Sequence, residues 1–142
     1  MKRLLLLLAV AVVLGATANA LSPRGLSWSR PLGRGVAAQV ADAGLVPVDL
    51  PAVKKLVGTV RLLDARTRED FAIGRLPGAA WWNPDGPLPP RDKPIVVYCA
   101  NEFCEYALEA GVKLKAAGYP DVAVFVDGYE AWWNAGGAVD QD

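Results

Sequence analysis

The chain of 142 residues contains no histidine. That absence excludes Ser-His and Cys-His catalysis, histidine-ligated metals and the usual general base at neutral pH, so any nucleophile must be activated in another way. Cysteine is nearly as scarce, with only Cys99 and Cys104. Two thiolates are too few for a thiolate-only zinc site or a disulfide-stapled miniature scaffold, so no metal is expected and the two are read as a pair. Charge of one sign is also lacking. Fifteen basic residues face fifteen acidic ones, which gives no field to recruit nucleic acid or an anionic membrane.

The long apolar run is confined to one place. Lys2 and Arg3 precede Leu4 to Leu14, and the small residues Ala16 to Ala20 follow. This order predicts a secretory signal over 1–20 with an Ala-x-Ala cleavage site, since the run is shorter than the roughly 20 residues that span a bilayer. A retained anchor is the alternative. The expected mature chain begins at Leu21, is periplasmic or secreted, has no stable membrane insertion after cleavage, and lies where disulfides can persist. Removing the signal takes away two basic residues and no acidic ones, leaving the mature chain mildly acidic.

Residues 21–44 mix Pro, Gly, Arg and Ser around one weakly helical stretch, Val36 to Ala43, and read as a leader packed loosely on a domain over 45–142. Beyond it the pattern is regular. Helical runs are expected at Leu50 to Val57, Arg68 to Ile73, Tyr106 to Ala117 and Glu130 to Asn134. Short strands are expected at Val60 to Leu63, Ala79 to Trp82, Ile95 to Tyr98 and Val122 to Val126, with Gly118 ending the long helix. Pro84 to Pro94 carries five of the eleven prolines and must be a surface loop. Short apolar strands alternating with helices predict one α/β domain, a small parallel sheet with helices on both faces.

Cys99 follows directly on the strand Ile95 to Tyr98. The carboxyl end of a parallel strand is where open α/β sheets place ligands, and the following helix adds the positive end of its dipole. Both effects favour thiolate and activate a cysteine without histidine. The alternative is a small buried core residue.

Leu63-Asp64-Ala65-Arg66 with Asp70-Phe71, then Gly74 to Ala79, Ile95 to Cys99, Ala117-Gly118-Tyr119, and Asp127 to Trp132 together resemble the rhodanese family in order and spacing. The resemblance covers roughly Leu45 to Val139. It implies a doubly wound domain whose active-site loop, Ala100, Asn101, Glu102, Phe103, Cys104 and Glu105, cradles a persulfide on Cys99. Arg66 matches the arginine of the family's Asp-x-Arg motif and Asp64 its aspartate. The loop is longer than the commonest family spacing, resembling a subgroup with a second cysteine. It also lacks the usual glycine, serine or arginine, while Arg75 stands in place of a histidine and Asp127 in place of a glycine.

The function so implied is an exported sulfurtransferase without a cofactor, served by a small sulfur donor or a persulfide-carrying protein. A dithiol-disulfide redox protein using Cys99 and Cys104, and a binding module without turnover, are the alternatives. Cys104 either resolves a Cys99 persulfide or is a small hydrophobe opening the helix. Arg66 either steers an anion or pairs with a nearby acid. Glu102 and Glu105 raise the thiol pKa and repel thiosulfate if they approach Cys99; otherwise they face solvent at the helix start. In each of the pairs Trp81-Trp82 and Trp132-Trp133 one ring is expected inside and the other at the surface.

Overall fold

The computed structural model describes Thr17 and residues 35–142. The expected signal over 1–20, apart from Thr17, and the leader up to residue 34 lie outside the described residues. Among those described, no helix is long and apolar enough to cross a membrane.

The elements in chain order are α1 Val36–Asp42, β1 Val46–Val48, α2 Leu50–Leu56, β2 Arg61–Asp64, α3 Arg68–Ile73, β3 Ala80–Trp81, β4 Ile95–Tyr98, α4 Tyr106–Ala116, β5 Val122–Phe125 and α5 Gly128–Asn134. The five strands form one sheet in the order β1-β5-β4-β2-β3, every neighbouring pair parallel. The chain therefore crosses over between strands by helices, as the alternating pattern requires.

All four residues of β4, the central strand, are buried, which explains a continuous apolar run rather than alternation. Its side chains divide between two cores. Ile95 and Val97 pack with Val40 of α1, with Ala107, Ala110 and Leu114 of α4, and with Val124. Val96 and Tyr98 pack on the other face with Val53 of α2, Leu76, Phe125 and Trp132 of α5. Each fully buried aliphatic side chain contributes about 1.5–3 kcal/mol. The strands and helices thus alternate into a sheet covered on both faces.

Local chemistry sets the helix ends. Asp49 accepts a hydrogen bond from the Ala52 N–H at 2.9 Å and caps α2, and Thr67 caps α3 by accepting from Asp70 N–H at 3.1 Å. Gly118 stops α4 by taking φ +84°, a conformation that other residues rarely adopt.

Two expectations need correction. Strand β1 was not anticipated: it has three residues, Pro47 sits in its middle, and it pairs only with β5 at the edge, where a missing N–H is tolerated. The stretch 36–43 is not loosely packed. Val40 of α1 is completely buried in the first core, because one apolar residue pointed at β1 and α4 is enough to anchor a short helix.

The tryptophan pairs divide as expected. Trp82 and Trp132 are buried, Trp81 is half-buried and Trp133 exposed. The Pro84–Pro94 segment runs over the surface, pinned where Pro89 O accepts from the Tyr119 hydroxyl and Arg91 donates to Ala117 O at 2.5 Å.

Candidate active site

Cys99 lies one residue past β4, at the carboxyl end of the sheet, and is 2% exposed. Its backbone is held from two sides. The Tyr129 N–H at the start of α5 donates to Cys99 O at 2.8 Å, and Glu130 N–H donates to Ala100 O at 2.9 Å. This docking needs Gly128. Its φ is +72°, and a Cβ there would lie 2.7 Å from both Ala100 O and Asn101 N. Gly128→Ala is therefore expected to cost about 1–3 kcal/mol through backbone strain and loop displacement. Thermal unfolding checks this; an unchanged Tm would contradict it.

Past Cys99 the loop curls on Asn101. Its Oδ1 accepts from Phe103 N–H at 3.1 Å, its carbonyl accepts from Cys104 N–H at 3.1 Å, and its Nδ2 donates to Glu130 Oε1 at 3.0 Å. Such a turn brings Cys104 back to Cys99. The Cα atoms are 6.0 Å apart and the two sulfurs are bonded as a disulfide. In this oxidised form there is no free thiol, and two loop N–H groups are used by Asn101 rather than turned toward an anion on Cys99.

Cys99 is buried with the first core, whereas Cys104 is half-buried and packs at its margin. Glu102 and Glu105 are exposed, facing solvent. Glu105 occupies the N-cap position of α4 without a side-chain capping bond, so its contribution there is electrostatic only. Phe103 and Tyr106 are also exposed beside the loop.

Arg66 and Asp64 form a buried ion pair. Arg66 Nη2 lies 2.6 Å from Asp64 Oδ2, its Nε 3.0 Å from Oδ1, and the same Nη2 donates to Gly74 O at 2.6 Å. The Tyr129 ring covers the guanidinium 3.8 Å away. Burial lowers the Arg66 pKa, but the hydrogen bond and charge of Asp64 outweigh it, so the net direction is upward. Tyr98 lies beside the pair. Its hydroxyl accepts from Leu76 N–H at 3.1 Å. Burial raises the phenol well above its ordinary range, and the Asp64 charge adds to this. Arg66 thus has the geometry of pairing with an acid, and it braces β2, β4 and α5 beneath the loop.

The family's usual histidine and glycine positions have structural duties here. Arg75 pairs with Asp142 at 2.8 Å and its backbone bridges Asp140, tying down the C-terminal tail. Asp127 Oδ2 accepts from Leu50 N–H at 2.8 Å, joining the starts of α2 and α5.

Two recesses lie at this end of the sheet. One of about 320 Å³ is lined by Asn101, Glu102, Phe103, Asp127, Glu130 and Asn134 and presents carboxylates without a cation. The other, of about 440 Å³, lies between the ends of β2 and β3 and the first turns of α4, with Arg66, Trp81, Trp82, Tyr106 and Lys113 in its wall. Among the described residues no cluster of His, Cys, Asp or Glu has the arrangement to hold a metal ion.

Sequence reasoning missed Gly128 and Tyr129 as site residues, although both stand in the Asp127 to Trp132 motif. Nothing in their residue types signals that one touches the loop backbone and the other covers Arg66.

The geometry agrees with comparisons to known proteins. A family model for the rhodanese-like domain matches residues 49–135. A structure from Bacillus halodurans aligns with a TM-score of 0.61 at 20% identity, covering 75% of this chain and 84% of that one. A rhodanese-related protein from Thermoplasma volcanium aligns at 0.58 and 19% identity, covering 68% and 98%. A thiosulfate sulfurtransferase from Pseudomonas aeruginosa aligns at 0.55 and 29% identity, covering 68% of this chain but 20% of that protein. No curated protein matches the chain closely enough to count as a relative. With a family model over more than half its length, a parallel five-stranded sheet and a cysteine loop at its carboxyl end, the chain belongs to the rhodanese-like domain family.

Proposed function

We propose that the chain is a sulfurtransferase that carries sulfane sulfur as a persulfide on Cys99 and works after export to the periplasm or beyond. One observation carries this reading: Cys99 stands at the carboxyl end of the central strand β4, its carbonyl clamped by α5, in a loop that leads into α4. There the dipole of the eleven-residue helix α4 favours a thiolate and a persulfide anion without any histidine. The Cys99 thiolate attacks the outer sulfur of a donor, the donor's remainder leaves with the bonding electron pair, and an acceptor thiolate later takes the sulfur by the same displacement. A persulfide-carrying protein or a small sulfur compound is the donor class.

The disulfide between Cys99 and Cys104 favours a second reading, a dithiol-disulfide redox protein. Reduced Cys104→Ser separates the two. Sulfurtransfer needs Cys99 alone, so the variant should take up sulfane sulfur and pass it to a thiol acceptor at a rate within about threefold of wild type. Loss of transfer together with loss of disulfide exchange would favour the redox reading.

Export makes a separate prediction. Material recovered outside the cytoplasm should begin at Leu21, as N-terminal sequencing would show. Recovery of chains that still begin at Met1 in a membrane fraction would overturn the cleavage.

A further inference from the structure

The oxidised loop has two unlike sulfurs in an acidic setting. Cys99 is 2% exposed, whereas Cys104 is half-buried and flanked by Phe103, which is 82% exposed. A nucleophile that opens a disulfide approaches one sulfur along the S–S axis and expels the other as thiolate, more readily when the departing thiol has the lower pKa. Access thus points to Cys104 as the sulfur attacked. Attack on Cys104 expels Cys99, the sulfur that no approach from solvent reaches.

The surroundings select the nucleophile. Glu102, Asp127 and Glu130 line the recess beside the loop, and no Lys or Arg stands in its wall. Dianions and carboxylate-bearing thiols are repelled there, whereas hydrogen sulfide is small, at most singly charged as hydrosulfide, and partly neutral near pH 7.

We propose that hydrosulfide charges the oxidised chain by attacking Cys104. A bond forms between the hydrosulfide sulfur and Cys104 Sγ while the Sγ–Sγ bond breaks, its electron pair leaving on Cys99. The disulfide is reduced by two electrons and the incoming sulfide is oxidised to sulfane sulfur, so no further oxidant enters the step. The Cys99 thiolate then attacks the outer sulfur of the Cys104 persulfide and expels the Cys104 thiolate, moving the sulfur to the carrier position. Cys104 is therefore the port of entry. This inference rests on the reading of Cys99 as sulfur carrier and adds a donor class, inorganic sulfide.

Air-oxidised full chain, given one equivalent of sodium sulfide and quenched with iodoacetamide at successive times, tests it. The expected result is a gain of about 34 mass units before alkylation, with the alkylated persulfide first on Cys104 and later on Cys99. An unchanged disulfide, two thiols without added sulfur, or a persulfide on Cys99 with none on Cys104 at the earliest time would overturn it. Charging of reduced protein by inorganic polysulfide is run in parallel. If that succeeds while oxidised protein ignores sulfide, this inference falls and the carrier reading stands. If sulfur enters at Cys104 but never reaches Cys99 from either source, the carrier reading falls and the entry step stands.

Discussion

Cys99→Ser should lower the labile sulfur loaded onto the reduced chain by sulfane donors to below about 1% of wild type, because a serine oxygen cannot hold a persulfide. Cys104→Ser is the internal control. Either substitution removes the same disulfide, so any stability lost with that bond is common to both and cannot explain a difference in sulfur uptake. The comparison isolates the position at the end of β4, which only Cys99 occupies. Intact-mass measurement before and after dithiothreitol reads the result. If Cys99→Ser loads as wild type does while Cys104→Ser does not, the two roles are exchanged.

The second large effect concerns folding. Asp64 is completely buried and its carboxylate is shared by the Arg66 guanidinium and the Arg66 N–H. Asp64→Ala leaves a buried arginine without its counterion, which costs about 3–5 kcal/mol, far above the 0–1 kcal/mol of an exposed pair. Thermal unfolding should show Tm lowered by more than about 10 °C. A fall of less than about 2 °C would mean that Arg66 does not depend on Asp64. Tyr98 adds a pH signature. Its folded-state pKa is raised, so the stability it provides is present below the ordinary phenol value of about 10 and is lost as pH rises above it. Tyr98→Phe should flatten that alkaline decline.

The parts of the fold legible in the sequence are those where one physical cause dominates. Ile95 to Tyr98 reads as a buried strand because both its faces are covered, and Gly118 reads as a helix stop because the turn needs a positive φ. The edge strand β1 is illegible because three residues cannot establish a period and Pro47 argues against one. The burial of Val40 depends on the core it shares with Ala107, Ala110 and Leu114 of α4, which no local window contains.

The site divides in the same way. The position of Cys99 at the carboxyl end of a parallel strand is legible, because the buried run Ile95 to Tyr98 ends directly before it. The choice between an anion-steering and a paired Arg66 is not, since it turns on the path that brings Asp64, Gly74 and Tyr129 around one guanidinium. The spacing of Cys99 and Cys104 allows several separations, and the Asn101 turn selects the one at which they bond.

The central claim is that Cys99 carries sulfane sulfur, and locating the sulfur tests it most directly. Reduced wild-type chain loaded with inorganic polysulfide, alkylated and digested, should show one labile sulfur of about 32 mass units per chain, on Cys99. Sulfur found on Cys104 alone, or no labile sulfur on either cysteine, would contradict the account.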